Sequence, residues 1–217
     1  NQTMFTGIVT AIGTITQAEQ RGDLRLRIAA PLDPARLDIG ASIACSGVCL
    51  TVVDRGGAKG DAWFDVDVSG ETTSCTVAAM WNEGAKLNIE PSLRMGDELG
   101  GHIVTGHVDA VGEVTRAEEE GDSWRVDVRA PKELAPFIAP KGSITVQGVS
   151  LTVNEIRDED DGSCTFMLNI IPHTGEVTTL GALKAGDQVN LETVSYTHLR
   201  AHETDSYLVC RLLLEKK

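Results

Sequence analysis

The chain has no run of apolar residues near the ~18–20 that a bilayer-spanning helix needs. Its start also lacks the basic-then-apolar pattern of a secretory leader. It is short of positive charge: 19 lysines and arginines face 32 aspartates and glutamates, a formal net charge of −13. Nucleic acid is thereby excluded as a ligand, because its phosphates are held by releasing counterions to a basic surface. An anionic membrane is excluded on the same ground. The cytoplasm is the expected location. The five cysteines (Cys45, Cys49, Cys75, Cys164 and Cys210) are odd in number and irregularly spaced, which does not describe a disulfide framework. Without a C-x-x-C pair, a structural zinc site is not expected either, and most of these thiols read as small buried hydrophobes. A phosphate loop, a dinucleotide fingerprint and a nucleophile elbow are all missing. Neither a common cofactor nor a metal is expected.

What is present is a duplication. "TGIVTAIGTI" (6–15) matches "TGHVDAVGEV" (105–114), "DLRLRIAAP" (23–31) matches "SWRVDVRAP" (123–131), "GASIACSGVCLTV" (40–52) matches "KGSITVQGVSLTV" (141–153), and "LNIE" (87–90) matches "VNLE" (189–192). The offsets run 99, 100, 101 and 102, so the matches keep their order and nearly their spacing. Such ordered self-similarity means a repeated domain. The boundary falls near the glycine-rich "GDELGG" (96–101), giving expected domains 4–101 and 102–194. Each half, at about 100 residues, is long enough to bury a core.

Both halves read as β. Leu24, Leu26 and Ile28 alternate with Arg25 and Arg27, and Trp124, Val126 and Val128 with Arg125 and Asp127. That is the period of a strand with one buried face. "WFDVDV" (63–68) and "KLNIE" (86–90) continue the pattern. About six short strands per half, separated by Gly, Pro, Asp and Asn, suggest a small closed antiparallel barrel, which removes exposed sheet edges. Helix signals are confined to "SCTVAAMW" (74–81) and "PKELAPFI" (131–138).

Three stretches carry candidate chemistry. "GGHIVTGH" (100–107) sets His102 and His107 five apart, a spacing that suits neither a helix face nor a strand face, so a metal pair is weak. His107 nevertheless stands in the first strand of the second repeat where the first has Ile8, and an imidazole in place of an apolar residue carries functional weight. "GVCLTV" and "GVSLTV" put Cys49 and Thr51 on one strand face and Ser150 and Thr152 on its equivalent, behind a glycine turn that would let backbone approach a flat ligand. A recurring core strand explains the same pattern equally well. Thiol and hydroxyl both hydrogen-bond, but only the thiol is a strong potential nucleophile. "IIPHTGEVTTLG" (170–181) and its counterpart "GETTSCTV" (70–77) align Thr174 with Thr72, either as hydroxyls for a polyol or heterocycle or as ordinary turn chemistry. Lys141 opens the second "GS-I" strand where the first repeat has Ile39.

Taken together, "MFTGIV" (4–9), "GVCLTV" (47–52), "GGHIVTGH" (100–107), "GVSLTVN" (148–154) and "IIPHT…TTLG" (170–181) resemble riboflavin synthases of the alpha-chain type, over about residues 4–193. The resemblance implies an all-β fold of two tandem six-stranded Greek-key antiparallel barrels with a C-terminal helix that helps build a homotrimer. In that family the N-barrel of one subunit faces the C-barrel of a neighbour. The implied reaction is a dismutation: one molecule of 6,7-dimethyl-8-ribityllumazine gives a four-carbon unit to a second, yielding riboflavin and 5-amino-6-ribitylaminouracil, without cofactor or metal. Two like sites would then hold two copies of one substrate, which removes much of the entropic barrier to their meeting.

Carried over by position, the resemblance implies an N-barrel seat of Gly7, Ile8, Val9, Ser42, Val48, Cys49, Leu50, Thr51, Asp67, Val68, Ser69, Gly70, Glu71 and Thr72. The C-barrel seat would comprise His102, Gly106, His107, Val108, Lys141, Ser150, Leu151, Thr152, Asn169, Ile170, Ile171, Pro172, His173 and Thr174. Cys49, Ser150 and His107 are expected nearest the reacting carbons, with His107 able to move protons near neutral pH and Phe5 packing near the acceptor. Lumazine synthase, which encloses the enzyme in some bacteria, is a further implied partner.

Two departures from the family stand out. Gln147 occupies a position that is often acidic, which removes an acid–base role there. After "VNLE" the family's aspartate is replaced by Val194, and residues 195–217 align with nothing in the first repeat. That tail reads as foreign, although "SYLVCRLLLEKK" could form a helix; trimerisation would depend on it. "NQT" before Met4 likewise reads as an added leader. The competing function is a non-catalytic lumazine- or flavin-binding protein of the same fold; the presence of "MFTGIV", Cys49 and His107 favours the enzyme. The flavin barrel of ferredoxin-reductase-type enzymes would require an R-x-Y-S/T motif and a nucleotide domain, and neither is found.

Overall fold

The computed structural model describes residues 4–194. The tail (195–217) and the leader before Met4 lie outside them. The first half contributes β1 (Ala11–Arg21), β2 (Asp23–Ala30), β3 (Ser42–Cys45), β4 (Val48–Ala58), β5 (Asp61–Val68), a one-turn helix α1 (Gly70–Cys75) and β6 (Lys86–Pro91). These strands close into a six-stranded antiparallel barrel in the order β1-β2-β5-β4-β3-β6. Leu26, Ile28, Val52, Phe64, Val66, Leu87 and Ile89 fill it, each almost wholly shielded from solvent. The alternation read in the sequence explains the fill. On β2 the apolar residues face in, while Arg25 and Arg27 face out and pair across the strand with Asp67 and Asp65.

The second half repeats this order with β7 (Ala110–Glu120), β8 (Ser123–Ala130), β9 (Ser143–Val146), β10 (Val149–Thr152), β11 (Glu155–Asp158), β12 (Cys164–Ile170), α2 (Pro172–Val177) and β13 (Gln188–Thr193). It is a curled seven-stranded sheet, β10-β9-β13-β7-β8-β12-β11, rather than a closed six-stranded one. The extra strand is a division: β10 and β11 together correspond to β4. In the first barrel this place carries a bulge between Val52 and Asp54. In the second the ladder breaks at Val153–Asn154, where the Asn154 N–H still donates to the Met167 carbonyl at 2.9 Å. A bulge and a break are two ways of bending one strand around a small barrel.

The expected helices are shorter than the sequence suggested. Ser69 caps α1 by accepting from the Thr72 N–H, and the helix stops before Thr76, which is extended. Residues 78–81 form only a 3-10 turn. Around Pro136 only a 3-10 turn forms, Ala135–Phe137, because proline disfavours a helical residue before it and offers no N–H. Lys141 is equivalent to Gly40, not Ile39. Both have positive φ (65° and 86°), and both donate to a carbonyl at 2.7 Å, Lys141 to Val153 and Gly40 to Val52.

The barrels meet about a pseudo-twofold axis at the turns before β4 and β10. Ser46–Gly47 and Gln147–Gly148 are two-residue hairpin turns with positive φ at both positions (47° and 86°, 50° and 76°), the type I′ pattern. Gly47 and Gly148 lie against each other so closely that a Cβ on Gly148 would come within 2.6 Å of the Gly47 nitrogen. Asparagines lock the contact reciprocally. Asn88 on β6 donates to the Gln147 carbonyl (2.8 Å) and accepts from the Thr179 N–H (2.8 Å). Asn190 on β13 donates to the Ser46 carbonyl (3.0 Å) and accepts from the Val77 N–H (2.9 Å).

Candidate active site

The strand faces that carry the candidate chemistry point out of the barrels. Val48, Leu50 and Val52 belong to the core, so Cys49 and Thr51 are on the outer face, where β3 sets Ala44 opposite Cys49 and Ser42 opposite Thr51. The second barrel matches: Thr145 opposes Ser150 and Ser143 opposes Thr152. The side chains of Val48, Leu50, Val68 and Ile170 are buried in the cores and Leu151 packs against one, which leaves these five only backbone to offer a ligand.

The two Thr-Gly segments ahead of β1 and β7 cross between the barrels. The Glu90 carboxylate at the end of β6 accepts from the Thr6 N–H and hydroxyl (2.7 Å each) and the Gly7 N–H (3.0 Å). Glu192 at the end of β13 does the same for Thr105 and Gly106, at the same distances. Held in this way, each segment turns its glycine toward the opposite barrel. The Gly7 carbonyl accepts from Ser150 N–H, and the Gly106 carbonyl from Cys49 N–H, both at 2.8 Å. Val9 packs on the second core and Val108 on the first. Only glycine fits here: φ is 75° at Gly7 and 78° at Gly106, and a Cβ would come within 2.6 Å of the Ser150 or Cys49 Cβ.

This crossing corrects the expected grouping. Gly7, Ile8 and Val9 lie beside Ser150, not Cys49, whereas Gly106, His107 and Val108 lie beside Cys49, not Ser150. The first seat therefore gathers Cys49, Thr51 and Gly106–Val108. The register Val52↔Val66 brings Asp67 alongside Thr51, and α1 with Glu71 and Thr72 follows directly. The second gathers Ser150, Thr152 and Gly7–Val9, with Asn169 and α2, which holds His173 and Thr174, in the positions of Asp67 and α1. Asp67 is engaged by Arg25 at 2.6 and 3.2 Å. At its counterpart Asn169 that charge is gone, and Arg125 turns to Asp127 instead. Lys141 is exposed at the mouth of β9.

The imidazoles also change places. His107 is exposed, lies ahead of β7 rather than in a strand, and makes no side-chain hydrogen bond among the described residues. His102 is the coupled one. Its Nδ1 is 2.7 Å from Ser150 Oγ and its Nε2 is 3.2 Å from Thr145 Oγ1. Burial lowers its pKa and favours the neutral ring. Cys49 sits in different company. The fully buried ring of Phe5 packs with Ala44 and Val104 against it. Burial pushes the Cys49 thiol up, a Ser42 hydrogen bond partly offsets this, and the Glu192 carboxylate raises it further. These surroundings hold the Cys49 thiol toward its protonated form. Gln147 spends its side chain accepting from the Asn190 N–H at 3.2 Å.

Sequence reasoning noted "LNIE" and "VNLE" only as a repeat. Their Asn and Glu side chains build the interface and hold the segments over the seats. The signal available was a pair of polar residues alternating with the core residues Leu87 and Ile89, or Val189 and Leu191, on the outer face of the last strand, present in both copies. A cavity of about 440 Å³ opens on the first barrel beside the Glu90 clamp, lined by Thr6, Ile8 and Glu90 together with Pro31, Arg36 and Arg94; neither Cys49 nor Ser150 lines it. Among the described residues no group of three or more metal-ligating side chains occurs, and no helix is long and apolar enough to cross a membrane.

Comparison with known proteins gives the same two units. The lumazine binding domain model matches residues 6–92 and again 105–194. The chain is 47% identical over 191 residues to the riboflavin synthase of Brucella abortus (strain 2308), covering 87% of this chain and 92% of that protein. It is 42% identical to that of Mycobacterium tuberculosis (strain ATCC 25618 / H37Rv), with the same coverage. Among solved structures, it is similar to LumP complexed with 6,7-dimethyl-8-(1'-D-ribityl) lumazine: 28% identity, TM-score 0.71, covering 88% of this chain and 99% of that one. LumP complexed with riboflavin matches at 30% identity and TM-score 0.72, over 88% and 100%.

Proposed function

The chain belongs to the riboflavin synthase family, built of paired lumazine-binding domains, and on that premise we propose that its two outer-face seats each hold one molecule of 6,7-dimethyl-8-ribityllumazine. The protein is an enzyme of riboflavin formation, and its reaction is the dismutation of two lumazines into riboflavin and 5-amino-6-ribitylaminouracil. The observation that carries this reading is the doubled seat. Two like strands, Val48–Thr51 and Val149–Thr152, are each crossed by a Thr-Gly segment locked from the other barrel. A reaction between two copies of one molecule needs such a pair, and holding both copies in place supplies much of the acceleration.

Within this reading, Cys49, Thr51, Asp67–Thr72 and His107 serve one lumazine, and Ser150, Thr152, Asn169–Thr174, Ile8 and His102 the other. Backbone and hydroxyl groups hold the ring and ribityl chain, Phe5 packs beneath the Cys49 seat, and exposed Lys141 is within the second seat's surroundings. The substrates' conjugated rings stabilise the carbanion formed when the C7 methyl of one loses its proton. His107, exposed beside Cys49, is the group free to carry protons there. The homotrimer, the facing of seats from neighbouring subunits, association with lumazine synthase, cytoplasmic location and the domain limits 4–101 and 102–194 belong to the same proposal. Light scattering with intact mass tests the assembly.

The decisive measurement is to incubate the protein with the lumazine alone and follow riboflavin absorbance. Flavin formation is expected; none from an assembled sample would overturn the reading. The LumP complexes favour a second reading, binding without turnover. It is the weaker one, since identity to the synthases is higher, and it would give fluorescent ligand bound and recovered unchanged.

A further inference from the structure

The Ser150 seat contains a directed chain of polar groups that the Cys49 seat lacks. Thr145 is only 1% exposed, and among the described residues its hydroxyl has a single partner, His102 Nε2 at 3.2 Å. A buried hydroxyl gives its proton to an acceptor where one exists. Nε2 must then be the unprotonated nitrogen. The neutral ring carries its one proton on Nδ1, which faces Ser150 Oγ at 2.7 Å and donates to it. Ser150 Oγ is thereby an acceptor on that side. Its own proton has no protein acceptor among the described residues, and Ser150 is partly exposed on the outer strand face.

The imidazole is held in this place by its backbone as well. The His102 N–H donates to the Thr6 carbonyl at 3.2 Å, and a Cβ at Gly101 would meet Ser150 Oγ at 3.1 Å, so a residue with a side chain there would crowd the pair. At the equivalent points of the first barrel, Ala44 replaces Thr145 and the Phe5 ring packs beside Cys49.

We infer that His102, oriented by Thr145, is a positioning residue that turns the Ser150 hydroxyl outward as a hydrogen-bond donor to an acceptor atom, a carbonyl oxygen or ring nitrogen, of the ligand in that seat. Identifying this ligand as a lumazine rests on the function proposed above. Ser150 is then neither base nor nucleophile. An outward donor, itself polarised by accepting from Nδ1–H, favours whichever ligand gathers negative charge on its ring. The Cys49 seat offers a weakly donating thiol beside apolar groups, so the seats differ in which charge state they favour.

Nitrogen NMR of the full chain, with ring signals assigned through their own and sequential couplings, reads the tautomer directly and needs no activity. Protonation of His102 at Nδ1 is expected; at Nε2 the inference is overturned. If the Nδ1 tautomer is found but lumazine gives no flavin, the functional reading fails and the relay stands. Turnover then tests the coupling. Ser150→Ala and His102→Ala should each lower kcat by about tenfold or more, with KM changing less. The double variant should be no worse than the poorer single one. His102→Asn, whose amide can donate from near the Nδ1 position, should recover most of the loss. Independent, multiplying losses, or no recovery with Asn in a folded variant, would show that His102 acts only structurally.

Discussion

Cys49 and Ser150 occupy the same place in two barrels, each with its backbone N–H bonded to a glycine carbonyl at 2.8 Å. Around the first stand Ala44, Phe5 and Val104; around the second, Thr145 and His102. Backbone scaffolding has thus been kept and side-chain chemistry has diverged. On the proposed function, the shared part is what any flat ring and ribityl chain would require, and the divergent part would separate two otherwise identical substrates. A raised thiol next to a benzyl ring and a hydroxyl next to an imidazole impose different costs on charge.

The strongest way to break the comparison is through the crossed clamps. Glu192→Ala leaves the part-buried N–H and hydroxyl of Thr105 and the buried N–H of Gly106 unpaired and should cost about 3–4 kcal/mol, read as a fall in Tm. Because the segments cross, ligand binding should suffer at the Cys49 seat in Glu192→Ala and at the Ser150 seat in Glu90→Ala. Lumazine titration of each variant carrying Cys49→Ala or Ser150→Ala would show which seat remains, and the opposite assignment would refute the crossing. Next come Gly7→Ala and Gly106→Ala, which add a Cβ 2.6 Å from the facing strand at positive φ. About 3 kcal/mol is expected from overpacking and backbone strain together, by denaturant unfolding. Smaller still is Cys49→Ser. Since burial and Glu192 hold the thiol protonated, turnover should stay within about tenfold of the unmodified chain, about 1.4 kcal/mol. A collapse of kcat would mean that the thiolate acts after all. If Ser150→Cys is also silent, the difference between the seats rests on His102 and His107 rather than on the repeated strand.

The smallest effect is one of pH. Burial raises the pKa of both Glu90 and Glu192, against the hydrogen bonds that lower it. A carboxyl with a higher pKa in the folded than in the unfolded chain binds protons more tightly when folded. Its contribution to stability is present in full below the unfolded value of about 4.3 and is lost as pH rises through the raised folded value. Chemical denaturation from acid to neutral pH should show this slope, reduced in Glu90→Gln; an unchanged slope would assign it to other carboxyls.

Much of the architecture was legible because alternation and duplication are local properties. Leu26 and Ile28 must face in if Arg25 and Arg27 face out, and a strand seen once is seen again a hundred residues later. The divided strand β10–β11 was not legible, since "LTVVDR" and "LTVNEI" differ in how they bend rather than in pattern. The helix expected over 74–81 failed because capping by Ser69 and the extended Thr76 set its limits, not apolar spacing. His107 drew attention as an imidazole in an apolar position, yet its side chain makes no hydrogen bond among the described residues. His102 looked like half of a weak metal pair and is the one bonded to Ser150.

The sequence by itself determined that there are two like β domains, and that the repeated strand carries a thiol in one and a hydroxyl in the other. Only the tertiary structure decided that each Thr-Gly segment serves the other barrel. It also decided which imidazole meets Ser150 and that the Cys49 thiol is held toward its protonated form. The physical reason is symmetry. A repeat makes "own barrel" and "other barrel" identical to any local pattern, and the choice between them is made by long-range bonds from Glu90, Glu192, Asn88 and Asn190 that exist only once both barrels are folded.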